Sequence, residues 1–160
     1  MTTVPTTMHS DGLSEEEIGL ILRVHGHLCP MVLLGARVAK RAMLTNAEQG
    51  SLGGDKRLFG FFRGFGCAVD GIQLFTGCTW GNGNLVLLRG RNSSLILTEE
   101  GKGTGIEVSP LPGALDRIRG ERSPEARSVL MDRFTSAPDS ELLESKVVTG
   151  LGTVSRYPGA

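Results

Sequence analysis

The chain has 160 residues, 39% apolar and 21% charged, which favours one compact domain with a sizeable core and leaves little room for separate cofactor and substrate lobes. Seventeen basic residues balance seventeen acidic ones, so the electrostatic footprint of a nucleic-acid binder is missing, and the apolar fraction excludes wholesale disorder. The 23 glycines are about twice the ordinary usage of roughly 7% and cluster between Gly50 and Gly105, which predicts tight turns and close backbone approaches in the middle of the chain.

Residues 1–12 are polar and Thr-rich, without the charged start and apolar stretch of a secretory signal, and read as a disordered tail that includes His9. Ser14-Glu15-Glu16-Glu17 has the form of a capping box, and Ile18, Ile21, Leu22 and Val24 follow at helical spacing. A first helix from about Ser14 to Val24 is expected, ended by Gly26. Pro30 suits the first position of a second helix running to about Leu44, with a small, apolar face of Val32, Ala36, Ala39 and Met43. Asn46 to Lys56 reads as a loop. Arg57 to Arg63 reads as a buried strand, Cys67 to Phe75 as a helix, and Thr76 to Asn84 as a turn-rich connection. Leu85 to Leu88, Ser94 to Thr98 and Gly105 to Val108 read as three further strands.

Residues 13–109 therefore predict an α+β core, helix–strand–helix–three strands, with helices on one face of a mixed, largely antiparallel sheet. Residues 110–160 read as a helical extension: a turn over Pro112 to Gly120, a capped helix from Ser123-Pro124 to about Phe134, a turn over Asp139 to Leu143, and a short edge strand at Val147 and Val148. No apolar run reaches the roughly 18 residues of a membrane span.

The cysteines are Cys29, Cys67 and Cys78, an odd number with no CxxC pair, so a reducing cytoplasm is expected and metal or thiol chemistry comes into question. His25-Gly26-His27-Leu28-Cys29-Pro30 carries three soft or borderline ligands at i, i+2 and i+4, a set suited to zinc or another late transition metal. Cys29 falls at a helix N-terminus, where unsatisfied N–H groups favour a thiolate. A single histidine here would read as part of a buried turn, but two with a cysteine favour a site. Cys67, in Gly66-Cys67-Ala68-Val69-Asp70, repeats the arrangement at the next helix start. Asp70 can orient a ligand histidine or accept a proton. In Thr76-Gly77-Cys78-Thr79-Trp80-Gly81-Asn82-Gly83-Asn84, the glycines allow a ligand close to the backbone, so Gly77, Cys78, Trp80 and Asn82 are candidate cofactor contacts. A tight crossover is an equally good reading of that loop.

These three motifs, in this order, resemble the FmdE family of formylmethanofuran dehydrogenase over about Ser14 to Val108, with a weaker likeness at Ala137 to Leu143. The resemblance implies a core of this α+β type, a homodimer with a His/Cys-lined metal pocket, and a link to molybdenum or tungsten formylmethanofuran dehydrogenase in one-carbon metabolism. No cysteine follows Cys78, so the paired CxxC motifs of the zinc ribbon that many members carry are missing. Arg63-Gly64-Phe65-Gly66 stands where members often have acidic residues, and Met31 where glycine is usual.

Three functions follow: a metal-dependent enzyme or metal-handling protein; a non-catalytic subunit holding a metal or pterin-type cofactor for an oxidoreductase partner; or a metal-free thiol enzyme using Cys29 or Cys67 with a histidine base. The metal would be zinc or another divalent transition ion, about one per chain, held by His27 and Cys67 first, then Cys29, then His25; Asp70 and Cys29 are the catalytic candidates. The few-stranded sheet has an edge that dimerisation can cover, and the small-residue face of the second helix is a candidate surface. Cys78 lies eleven positions beyond Cys67, across a helix with ends roughly 13 Å apart, too far to share a metal whose bonds to sulfur are about 2.3 Å.

Overall fold

The computed structural model describes residues 11–50 and 56–152. The readings for residues 1–10, 51–55 and 153–160, His9 among them, lie outside the described residues. Helix α1 (Glu15–His25) begins with the capping box: the Ser14 hydroxyl accepts from the Glu17 N–H, and the Glu17 carboxylate accepts from the Ser14 N–H. Gly26, at φ 87°, caps its C-terminus in the left-handed conformation. Helix α2 (Pro30–Glu48) starts on proline with Cys29 as its N-cap. It continues four residues beyond the predicted end at Leu44, because neither proline nor glycine interrupts the chain before Gly50 and Asn46 is buried.

Strand β1 (Leu58–Arg63) leads into α3 (Cys67–Thr76), and α3 returns the chain to β2 (Leu85–Leu88), parallel to β1. Strands β3 (Ser94–Glu99) and β4 (Thr104–Pro110) follow, then α4 (Pro112–Gly120), α5 (Pro124–Ser136), α6 (Asp139–Leu142) and β5 (Leu143–Thr149). The described strands form one sheet in the order β2-β1-β3-β4-β5, antiparallel except at β1–β2. The α+β architecture is the one expected. Strand β5 is longer than the Val147–Val148 pair predicted: it aligns with β4 from Leu143↔Pro110 to Thr149↔Thr104.

Helix α2 is the centre of the core and packs on α3, α5, β3 and β4. Val32, Ala36 and Ala39 are fully buried inside the single chain, so the small-residue face is spent on internal packing and offers no surface to a second copy. Two cations on α2 are also buried. The Arg37 guanidinium donates to the Phe134 and Ala137 carbonyls and to the Asp139 carboxylate at 2.8, 2.5 and 2.8 Å, tying the C-terminal helices to the core. The Lys40 ammonium donates to the Gly12 carbonyl and the Glu17 carboxylate, both at 2.9 Å. Asp11 and Gly12 are thereby held: Asp11 accepts from the Asp139 N–H at 3.1 Å.

Helices α2 and α3 touch backbone to backbone. A Cβ built at Gly35 would stand 2.8 Å from Ala68 Cα, and one at Gly71 would stand 2.7 Å from the Val32 carbonyl oxygen. Only glycine permits this approach. It sets the N-terminal ends of the two helices, which begin at Cys29–Pro30 and Cys67, side by side.

Candidate metal centre

The α1–α2 turn supplies His25, His27 and Cys29, and the start of α3 supplies Cys67. One ligand atom from each of these four residues lies within 4.8 Å of the other three. A tetrahedral zinc site with bonds of about 2.0–2.3 Å needs ligand separations of roughly 3.3–3.8 Å, so small side-chain rotations bring the four onto one ion. Gly66, at φ 71° and ψ −147°, makes the bend between β1 and α3 in a conformation that side chains resist, and so aims Cys67 at the turn.

His25 has the best-defined surroundings. Its Nδ1 lies 2.7 Å from the Asp70 Oδ2, while its Nε2 is buried without a hydrogen-bond partner. A buried, unpaired ring nitrogen is costly unless something coordinates it. The carboxylate behind Nδ1 is the partner that ligand histidines ordinarily have, fixing the tautomer with Nε2 free for a metal. Asp70 is held in turn: Oδ1 accepts from the Gln73 side-chain amide at 3.4 Å, and the Gln73 Oε1 accepts from the Trp80 N–H at 2.9 Å. Gln73 thus links the centre to the glycine-rich loop. Sequence reasoning missed it, although its place three residues after Asp70, one helical turn on, was a usable signal.

His27 is exposed and lies against His25, ring centroids 4.4 Å apart. Cys29 is buried, and its sulfur accepts from the Val32 N–H at 3.4 Å, so it caps α2. The thiolate expected at the start of α3 is not favoured in the metal-free chain: burial, then the hydrogen bond and charge of Cys29, push the Cys67 thiol above its ordinary pKa. Bound metal reverses this by taking the thiolate directly.

The glycine-rich loop stands apart. Gly77 caps α3 at φ 70°, and Asn82 spends its side chain on the loop itself, accepting from the Thr79 and Asn84 N–H groups and donating to the Gly77 carbonyl. Cys78 is buried in the core with its sulfur donating to the Leu58 carbonyl at 3.4 Å, and burial pushes its thiol up to about 11. Trp80 is 72% exposed. A cavity of about 390 Å³ adjoins the centre, with Cys67 and Met31 in its wall together with Gly64, Phe65 and Gly66.

An α+β protein built on a five-stranded mixed sheet, with a His/Cys group able to hold a metal ion between two helix starts, is the class that fold and site define. The family described as "FmdE, Molybdenum formylmethanofuran dehydrogenase operon" matches residues 24–148, and the chain belongs to this family. A probable S-adenosyl-L-methionine-binding protein of Archaeoglobus fulgidus is 34% identical over 137 residues, covering 78% of this chain and 36% of that protein. The chain thus spans about a third of the length of that curated relative. The crystal structure of an FmdE-like protein of tungsten formylmethanofuran dehydrogenase from Syntrophus aciditrophicus has the same fold: TM-score 0.64 and 23% identity, over 84% of this chain and 71% of that one. Among the described residues no helix is long and apolar enough to cross a membrane.

Proposed function

We propose that the protein holds one zinc ion per chain between His25, His27, Cys29 and Cys67, and that the ion serves ligand binding or catalysis at the adjoining cavity. One observation carries this reading: His25 presents a buried, unpartnered Nε2 beside two thiols while Asp70 holds its Nδ1. Bound zinc supplies Lewis acidity and a bound water of lowered pKa. The chain's own residues divide the remaining work. Asp70 is a positioning residue that fixes the His25 ring, Gln73 steadies Asp70, and Cys29 and Cys67 lock the metal to the two helix starts. His27, the exposed member, is the ligand that an incoming molecule displaces.

A role as a metal- or cofactor-holding subunit for a molybdenum or tungsten oxidoreductase is the second reading, favoured by the family's link to that operon. The name of the Archaeoglobus relative, a binding protein, also favours it. The metal-free thiol enzyme is disfavoured by the raised pKa of Cys67. We place the protein in the reducing cytoplasm, where its three free cysteines persist, and as a homodimer, the sheet's outer strand β2 carrying half-exposed Val86 and Leu87.

Elemental analysis of protein purified without added metal or a metal-affinity step should find close to one zinc per chain, and only trace transition metal would refute the proposal. The double variant His27→Ala with Cys67→Ala should lose the metal and keep its fold. Turnover by the isolated protein separates the enzyme from the holding subunit, and a monomeric mass by light scattering at micromolar concentration would refute the dimer.

A further inference from the structure

The cavity beside Cys67 has a chemical character of its own. Its wall carries two guanidinium groups, Arg91 from the β2–β3 turn and Arg119 from α4, and no carboxylate. Neither arginine is neutralised firmly. Arg91 has no ion pair among the described residues and lies over the Phe65 ring, 5.8 Å from its centroid. Arg119 meets only Asp116, at 3.6 Å, where both side chains are more than half exposed and such a pair contributes little. The rest of the wall is largely apolar, with Phe65, Leu115 and Ile118. The acidic residues of the neighbouring groove do not cancel this charge: Glu107 is paired with Lys146 at 3.1 Å, and neither it nor Glu144 lines the cavity. Ser93, buried in the same wall, is the single non-glycine residue among those described with a left-handed backbone, at φ 53°. Such strain gathers where the surrounding structure holds a binding surface in place.

We propose that this cavity is the ligand site of the metal centre and takes a small molecule with an anionic oxygen group and an apolar body. Arg91 and Arg119 grip the carboxylate or phosphate. Phe65, Leu115 and Ile118 cover the apolar part, and Cys67, shared by the cavity wall and the His/Cys group, brings the ligand to the metal. The cavity lies within the ordinary size range of small-molecule sites, about 300–1,000 Å³. The inference rests on the metal reading for the role of Cys67, and on the arginines alone for the class of ligand.

The test is calorimetric titration of the full chain, zinc-loaded and zinc-free, with benzoate, phenyl phosphate and, as the cationic counterpart, benzylamine. At least one of the two anions should bind saturably, and benzylamine should not; whichever anion binds tighter identifies the group as carboxylate or phosphate. Arg91→Gln combined with Arg119→Gln should weaken anion binding at least tenfold and leave zinc content unchanged, while Arg122→Gln, a surface arginine outside the cavity wall, should leave both as they were. Circular dichroism of the double variant checks its fold, and the single variants, each weaker than wild type, serve if the pair unfolds. Zinc retained with no anion binding, or with binding equal in wild type and double variant, overturns the cavity proposal and leaves the metal reading standing. Arginine-dependent binding in a chain that holds no zinc overturns the metal reading and leaves the anion site.

Discussion

Gly71 on α3 lies against Gly35 on α2 so closely that a methyl group added at Gly71 would stand 2.8 Å from the Gly35 carbonyl carbon. The contact spaces the two helices whose first turns carry Cys29 and Cys67. Gly71→Ala forces them apart and should cost about 1–3 kcal/mol of stability, as overpacking does. It should also reduce zinc retention, because the thiols separate with the helices. Urea unfolding and elemental analysis of the same preparation check both; full zinc retention in a destabilised variant would show that the crossing does not set the site.

Asp70 is expected to act through His25. Asp70→Ala leaves the imidazole free to turn and should lower metal affinity about 10- to 100-fold, with the fold unchanged by circular dichroism. Competition with a chromophoric chelator measures the change. Unaltered affinity would remove Asp70 from the centre.

Cys78 is expected to be inert. Its thiol is raised from 9.0 to about 11 by burial, so it should resist alkylation at neutral pH until the chain unfolds. Cys78→Ser should keep the wild-type metal content. Below pH 9 the thiol is protonated in both folded and unfolded chains and stability does not depend on it. As pH rises from 9 toward 11 the unfolded chain releases a proton that the folded chain retains, and the wild type should lose on the order of 2–3 kcal/mol relative to Cys78→Ala. Urea midpoints of the two proteins at pH 8 and pH 10.5 test the sign.

Arg37 anchors the C-terminal helices through Phe134, Ala137 and Asp139. Arg37→Met leaves two carbonyls and a carboxylate without their donor and should cost about 3–5 kcal/mol, the usual result of breaking a buried pair from one side. Equilibrium unfolding followed by far-UV circular dichroism measures it; a loss below 1 kcal/mol would mean that water replaces the guanidinium.

Local chemistry made much of the fold legible. The Ser14–Glu17 box, Gly26, the proline starts at Pro30 and Pro124, and the alternation in β3 and β4 act over a few residues, and sequence alone determined those elements and the His25–Cys29 ligand run. The end of α2 was misplaced because burial of Asn46 overrides its weak helix propensity, and burial is not local. The extent of β5 depends on pairing with a strand about 40 positions earlier, as Val148↔Gly105 shows. The small-residue face of α2 looked like a surface for a partner and proved to be the seat of α3, since sequence shows that a face is apolar but not what covers it. Asp70 could be suspected of orienting a histidine, but its choice of His25, 45 positions away, and the orphaned Nε2 that results belong to the tertiary structure. So does the pairing of arginines 91 and 119 on one cavity wall, because contacts between distant segments are set by how the helices close on the sheet.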